Sequence, residues 1–207
     1  HPRNRAISRV RFGIPDERFI VGYAGRFVEE KGLLDLLNAV AKSEQRVHCW
    51  LVGGGPQKDA LAARAAQNDL VGRVHFLPNQ DHTALAEIMS AFDVFALPSR
   101  TVGNWKEQFG RVLVEAMACG VPTILSANTG HLDLIRDGAA LALTDQRAIA
   151  SAPGWRESNI EEILAALEDL YTDRARAREI GAAGAKLLAG LTWAKTAVEI
   201  KRIISAL

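Results

Sequence analysis

Short, almost continuously apolar runs alternate with segments of helical periodicity up to about residue 145, and this alternation constrains the fold more than any other feature. The sequence predicts strands over residues 18–24, 47–52, 73–77, 93–97, 121–125 and 139–143. Runs without polar alternation are typical of strands that are buried on both faces. The pattern therefore predicts an α/β fold: a single Rossmann-like, doubly wound parallel sheet of about six strands, with helices on both faces.

The character of the sequence changes from residue 159 onward, where no further strand pattern occurs. Helical periodicity predicts helices over residues 160–171, 174–188 and 193–206. We therefore expect a C-terminal helical tail after the sheet. A short helix is also predicted over residues 132–136, just before the last predicted strand.

Charge and cysteine content exclude several classes of protein. The chain of 207 residues has 25 Lys+Arg against 24 Asp+Glu, so its formal net charge of +1 gives no reason to expect a nucleic-acid partner. Cys49 and Cys119 are too few and too far apart for a disulfide framework or a zinc site. With no apolar stretch that approaches a membrane span, we expect a cytoplasmic protein with no transmembrane segment.

Two cations follow the first predicted strand, at the edge of the sheet where open parallel sheets bind ligands. Arg26 and Lys31 lie in a loop that is neither a G-x-G-x-x-G fingerprint nor a Walker loop. Beside a helix N-terminus, such cations predict a diphosphate site. From these residues alone, the alternative that both are solvated loop charges stays open.

Two carboxylates, Glu107 and Glu115, flank the start of the helix predicted over residues 109–119. Eight residues of helix correspond to about 12 Å of rise, which suits the two ends of an extended ligand better than a shared proton. Glu115 lies in the apolar run VLVEAMA, where a carboxylate needs a partner. A ribose diol or a nearby Arg or Lys would serve, and ordinary surface glutamates are the plain alternative.

Five motifs occur in a fixed order along the chain: GRFVEEKG (25–32), LVGGGP (51–56), HFLP (75–78), ALPS (96–99), and E-x7-E running into EAMACGVPTI (107–124). Together they resemble the nucleotide-sugar-binding C-terminal domain of retaining GT-B glycosyltransferases of family 4, the group 1 transferases. The resemblance covers about residues 17–143. It implies one half of a GT-B fold and an enzyme of the hexosyltransferase type.

The resemblance also implies roles for particular residues. It makes Glu107, Arg26 and Lys31 the catalytic residues, with the two cations holding the donor diphosphate and Glu107 contacting the transferred sugar. Glu115 would bind the ribose diol. The implied donor-binding residues are Gly25, Arg26, Lys31, Leu77, Asn79, Gln80, Glu107, Gln108, Phe109, Gly110 and Glu115, with the loop at Leu77, Asn79 and Gln80 near the base and residues 108–110 offering backbone amides.

No cofactor and no metal are expected, since fixed cations and a helix N-terminus can take up the charge of the leaving group. The expected partners are a UDP-, GDP- or ADP-sugar donor and the N-terminal acceptor-binding domain of the same enzyme, through which peripheral membrane contact would occur. Residues 1–16 then read as an interdomain linker remnant. Residues 17–190 form the donor-binding domain, and residues 191–207 form a helix that packs toward the absent domain.

Two alternatives from other classes stay open at this point. The chain could be a dinucleotide-binding Rossmann domain of another enzyme, although the fingerprint that such domains carry is missing. It could also be a non-catalytic Rossmann-like interaction domain. In the preferred interpretation, the isolated chain binds the donor nucleotide without transferring sugar, and the sequence names neither the sugar, the base nor the acceptor.

Overall fold

A parallel β-sheet forms the centre of the molecule. The computed structural model describes residues 4–100, 102, 107, 108, 110–126, 160–189, 197, 198, 201 and 202. Within these residues the sheet has five strands in the order β3-β2-β1-β4-β5, every pair parallel. They are β1 (Phe19–Arg26), β2 (Val47–Gly54), β3 (Val74–Leu77), β4 (Val94–Leu97) and β5 (Thr123–Leu125). The predicted strand over 139–143 and helix over 132–136 lie outside the described residues.

Seven α-helices are described alongside the sheet. They are α1 (Arg5–Arg11), α2 (Leu33–Lys42), α3 (Lys58–Ala65), α4 (His82–Ser90), α5 (Arg111–Ala118), α6 (Ile160–Thr172) and α7 (Arg174–Ala189), and a 3-10 turn spans Glu29–Lys31. Local sequence sets several of their starts. Asp81 caps α4, since its Oδ1 accepts from the amides of Thr83 and Ala84 at 2.9 Å each.

The strand order distributes the helices over both faces of the sheet. The chain runs outward from β1 to β3 and then returns to β4 and β5 on the other side. Because parallel crossovers are right-handed, α2 and α3 cover one face and α4 and α5 cover the other. Helix α6 packs against α2 and α7 packs against α5, so the predicted helical tail joins both layers. The predicted doubly wound α/β fold is confirmed.

The core lies between the sheet and these helices. The first six residues of β1 and of β2 and all four residues of β4 are buried, as the continuous apolar runs predicted. Phe19, Phe95 and Leu51 from the strands and Leu36 and Leu37 from α2 are fully buried. The sheet is therefore covered on both faces along its central strands, and its strand ends are left to carry polar side chains.

The N-terminal segment contains a helix that the sequence did not predict. Asn4 caps helix α1, and Arg9 within that helix is only 2% exposed. The Arg9 guanidinium donates to Asp93 at 3.0 Å and to the carbonyl oxygens of Pro15 and Arg18 at 2.7 Å each. The sequence alone does not show which carboxylate and carbonyl oxygens the folded chain brings close to these arginines. A linking role in a longer protein, like the other proposed domain boundaries, stays a prediction.

Candidate functional site

A cleft of about 690 Å³ opens at the carboxyl ends of β1, β2, β3 and β4. Its floor is formed by the last apolar residues of the strands, such as Val52 and Leu97. Its walls come from the loop after β1, the loop after β3, and the first turns of α4 and α5. This is the edge at which open parallel sheets bind ligands, because the strand-to-helix loops converge there.

Most of the residues that the resemblance singled out meet in this cleft. Those that line it are Gly25, Arg26, Lys31, Asn79, Gln80, Glu107, Gln108, Gly110 and Glu115. Leu77 does not line the cleft, because its side chain packs against the core at the end of β3. Phe109 lies outside the described residues. Four separate stretches of sequence are thus brought to one surface, while their individual roles stay predictions.

Lys31 and Glu107 form an ion pair on the wall of the cleft. The Lys31 Nζ donates to Oε2 of Glu107, and Glu107 is only 8% exposed. The other oxygen, Oε1, accepts from the amide of Gly110 at 3.1 Å, directly before α5. The Ser99 hydroxyl lies 3.4 Å from Oε2. The carboxylate therefore joins the loop after β1 to the start of α5.

Arg26 is the last residue of β1, and its side chain is exposed in the cleft. Among the described residues, its guanidinium forms no hydrogen bond or ion pair. The hydroxyl of Tyr23 donates to the Arg26 carbonyl oxygen at 2.8 Å, and this hydrogen bond holds the backbone at the end of β1 in place. Burial, reinforced by Glu107 and Glu30, raises the pKa of Tyr23, so this hydroxyl stays a donor at neutral pH. A cation is thus presented to the cleft from a fixed backbone.

The glycines after β2 allow the backbone to pass close to the loop after β1. A Cβ on Gly53 would lie 2.0 Å from the carbonyl oxygen of Gly25, and Gly53 has φ +136°. A Cβ on Gly55 would lie 2.6 Å from the carbonyl oxygen of Phe27. By contrast, Gly54 has open space around its Cβ position. The GGG motif therefore packs against the cation-bearing loop and does more than join a strand to a helix.

A partly buried ion pair connects the loop after β4 to α2. The Nε of Arg100 donates to Oδ2 of Asp35 at 2.6 Å, and Asp35 is 4% exposed. The Arg100 amide also donates to the carbonyl oxygen of Glu30 at 2.7 Å. Gly32 completes the junction, since a Cβ there would lie 2.1 Å from the Pro98 carbonyl oxygen. These contacts fix the 3-10 turn that carries Lys31 against the β4 loop.

Glu115 lies in the first two turns of α5, with its side chain 39% exposed toward the cleft. It is half-buried, as its apolar surroundings suggested, but no Arg or Lys in the described part of the chain pairs with it. The imidazole of the exposed His82 lies beside it, with Nδ1 3.8 Å from Oε1. The sequence suggested a ribose diol or a nearby cation as the partner of Glu115. No such Arg or Lys is found among the described residues, and the carboxylate oxygens of Glu115 remain accessible to hydroxyl groups.

Sequence reasoning missed several residues of the cleft. Tyr23 and Glu30 line it, although neither was proposed as a site residue. His82 also lines it, at the first position of α4. Glu30 could have been found, because it immediately precedes Lys31 in a loop already identified. Tyr23 could not, since it reads as one more apolar residue of a buried strand.

The described residues contain no group of three or more His, Cys, Asp or Glu side chains that could hold a metal ion. No helix within them is both long enough and apolar enough to cross a bilayer.

Comparison with known proteins agrees with the fold. The model of the family described as "Glycosyl transferases group 1" matches residues 4–187. D-inositol 3-phosphate glycosyltransferase of Mycolicibacterium smegmatis is 35% identical over 202 residues, which cover 94% of this chain and 42% of that protein. The chain therefore spans less than half the length of this relative.

Solved structures give the same result. A complex of Anabaena HepE with UDP-glucose superposes with a TM-score of 0.76 at 26% identity, over all of this chain and 54% of that one. The C-terminal domain of a group 1 glycosyl transferase (LpcC) of Francisella tularensis superposes with a TM-score of 0.70 over 91% of this chain and 93% of that one. Because its identity is only 22%, the second match supports the fold and nothing further.

The matches define a class: a Rossmann-like half of a GT-B glycosyltransferase. The chain belongs to the group 1 glycosyltransferase family, with family 4 fitting its motifs. The recognition made from five ordered motifs is confirmed.

Proposed function

We propose that this chain is the donor-binding domain of a glycosyltransferase and that the cleft binds a nucleoside diphosphate sugar. The observation that carries the proposal is the convergence of Arg26, Lys31, Glu107 and Glu115 on one cleft at the carboxyl edge of the sheet. Cations suit a diphosphate, and carboxylates suit the hydroxyls of a sugar and a ribose. The UDP-glucose complex of the similar HepE supports this ligand class.

The charges in the cleft suit a reaction in which a nucleoside diphosphate leaves. Negative charge develops on the departing diphosphate, and fixed cations with a helix N-terminus stabilise such charge without reorganisation. Arg26 at the end of β1 and Lys31 before α2 are placed for this role, with the start of α5 beside them. We therefore propose metal-independent catalysis. The retaining stereochemistry is proposed on the family resemblance.

Acceptor binding and transfer are assigned to a second domain. Because the chain covers 42% of the M. smegmatis relative, the complete protein would have room for a facing acceptor-binding domain. We propose a cytoplasmic enzyme in which this chain holds the donor and the other domain brings the acceptor. Alone, the chain would bind nucleotide and transfer no sugar.

Calorimetric titration of the chain with UDP, GDP and ADP tests the proposal, and saturable binding of one of them is expected. Arg26→Ala should weaken that binding by about tenfold or more, since it removes one charge-assisted phosphate contact. Arg46→Ala is the matched control, because Arg46 is also exposed but directly precedes β2, at the opposite end of the strands. The control should stay within about twofold of the parent chain.

Two results would contradict the proposal. Absence of binding by all three nucleotides at millimolar concentration would reject the donor site. Equal loss of affinity in Arg26→Ala and Arg46→Ala would show that only net charge matters. Saturable binding of NAD(P) in place of the nucleotides would favour the dinucleotide-binding alternative.

A further inference from the structure

The groups best suited to hold a phosphate in the cleft already bind an anion that belongs to the protein. Lys31 donates its ammonium hydrogen to Oε2 of Glu107. The amide of Gly110, at the N-terminal end of α5, donates to Oε1 of the same carboxylate at 3.1 Å. A cation and a helix N-terminal amide are the kinds of donor that phosphates use.

The surroundings make this pairing strong. The Lys31 side chain is 18% exposed and that of Glu107 is 9% exposed, so solvent screens their attraction little. Ser99 supplies a further hydroxyl 3.4 Å from Oε2. A phosphate that contacts Lys31 must therefore replace a largely buried carboxylate or accept its repulsion. Arg26, in contrast, is exposed and meets an incoming phosphate without losing a partner among the described residues.

We infer that the Glu107 carboxylate competes with the diphosphate for Lys31 and so makes the cleft discriminate a nucleotide sugar from the nucleoside diphosphate alone. The inference rests on the proposed donor-binding function and deepens it. A nucleoside diphosphate carries its hydroxyl donors on the ribose, the group expected to bind Glu115, so its phosphates displace the Glu107 carboxylate without giving it a new partner. A nucleotide sugar brings hydroxyl donors beside the diphosphate, and these hydroxyls can bind Glu107 when it releases Lys31.

This discrimination has a consequence for turnover. Once the sugar has left, the product nucleoside diphosphate no longer supplies hydroxyl donors to Glu107. The carboxylate then returns to Lys31 and to the Gly110 amide, which weakens the hold on the product. The same side chain that would contact the transferred sugar would thus also assist product release.

Calorimetric titration of the chain with UDP tests the inference, because it predicts a gain of affinity from the loss of a charged site residue. Glu107→Gln keeps the size of the side chain and an oxygen for the Gly110 amide, but it can no longer hold Lys31 as an ion. We expect UDP to bind about tenfold more tightly to this variant, the amount that one released charge-assisted contact supplies. UDP-glucose should gain less than UDP does.

Two further variants separate pairing from general charge. Glu29→Gln removes an exposed carboxylate of the same 3-10 turn that does not line the cleft. It should change UDP affinity by less than about twofold, because it releases no cation. In a Lys31→Met background, Glu107→Gln should likewise lose its effect. Urea unfolding of each variant verifies that the fold is intact.

The outcomes are distinct. If the parent chain binds UDP but Glu107→Gln binds it equally or less tightly, the inference is overturned and the proposed function stands. A gain that persists in the Lys31→Met background, or that Glu29→Gln reproduces, also overturns it, since repulsion alone would then explain the change. If neither the parent nor any variant binds UDP, GDP or ADP, the proposed function fails and the inference fails with it.

Discussion

Both edges of the sheet carry arginines and carboxylates, but they use them in opposite ways. At the amino edge, directly before β4, the Asp93 carboxylate accepts from Arg5, Arg9 and Arg174 and from the amide of Ile20. Its side chain is 6% exposed, and the Arg9 side chain is 2% exposed. This network joins α1, β1, β4 and α7 and is closed in the sense that its charges pair with one another, while the Arg5 side chain is 49% exposed.

At the carboxyl edge, charged groups remain directed toward a cleft. Arg26 is exposed there, and Glu115 keeps 39% of its side chain exposed. Even the Lys31–Glu107 pair lies on the wall of the cleft, where a ligand can reach both members. The comparison shows that abundance of charge does not identify a site. A charge is available to a ligand only where the folded chain leaves its hydrogen-bonding capacity unused or exchangeable.

The largest effect should come from breaking the closed network. Asp93→Asn removes the negative charge that three guanidiniums share, while its size and an acceptor for the Ile20 amide are retained. We expect the free energy of unfolding to fall by about 3–5 kcal/mol, the cost of leaving buried charge without a partner. Urea unfolding monitored by circular dichroism measures it.

The control for Asp93→Asn is Asp169→Asn, which breaks the exposed Arg176–Asp169 pair at 2.8 Å. It should cost less than about 1 kcal/mol. At a temperature where both variants are folded, their affinity for UDP should stay within about twofold of that of the parent chain, because neither Asp93 nor Asp169 lines the cleft. If Asp93→Asn loses affinity while its stability is kept, the division between the two edges is wrong.

A smaller effect, on the carboxyl edge, is expected from Gly53→Ala. The new Cβ would lie 2.0 Å from the Gly25 carbonyl oxygen, a backbone atom, at φ +136°. We expect a loss of about 1–3 kcal/mol in the free energy of unfolding. A several-fold loss in UDP affinity should accompany it, because Gly25 and Arg26 must move.

Gly54→Ala supplies the comparison in the same motif, since nothing lies within 4 Å of its Cβ position. It should change stability by less than about 0.5 kcal/mol. Thermal unfolding and calorimetry on the two variants decide the matter. Equal effects of both substitutions would mean that the close approach to Gly25 is not what the motif provides.

The sequence predicted the sheet well, because fully buried parallel strands need continuous apolar runs and leave a clear pattern. The predicted strand over 47–52 and the observed β2 (Val47–Gly54) differ only at the carboxyl end. The helix over 109–119 was predicted two residues too long at its start, since Gly110 with φ +48° caps α5. Helix α1 was missed altogether, because four arginines among few apolar residues resemble a solvated segment.

The site was predicted in part, for a similar reason. Arg26 and Lys31 could be found because they follow a strand at the edge where ligands bind. The Arg100–Asp35 pair could not, because its members are 65 positions apart and each reads as an ordinary surface residue. The resemblance marked Glu107 as a sugar contact, but only the folded chain shows its carboxylate bound to Lys31 and the Gly110 amide.

The smallest predicted effect concerns a pair of stacked histidines near the amino edge, His48 in β2 and His75 in β3, with ring centroids 5.9 Å apart. Burial, followed by the positive charges of Arg18, His75 and Arg73, lowers the pKa of His48 to about 4. Its Nδ1 is buried without a hydrogen-bond partner among the described residues. The unfolded chain therefore binds a proton at His48 more readily than the folded chain does.

The sign of the effect follows directly. Between about pH 6.5 and pH 4 the unfolded state binds more protons at this position, so stability falls as the pH is lowered through this window. From pH 7 to about pH 5 the melting temperature should fall by roughly 4–7 °C through His48 alone. His48→Leu, which cannot be protonated, should show a flatter profile, whereas His82→Leu removes an exposed ring and should retain the slope of the parent chain. Identical slopes in the parent and in His48→Leu would show that the buried ring does not control the response.

Because His48 lies at the closed edge, UDP affinity at pH 7 should be unaffected by its replacement, which separates a charge that serves the fold from the charges that face the cleft.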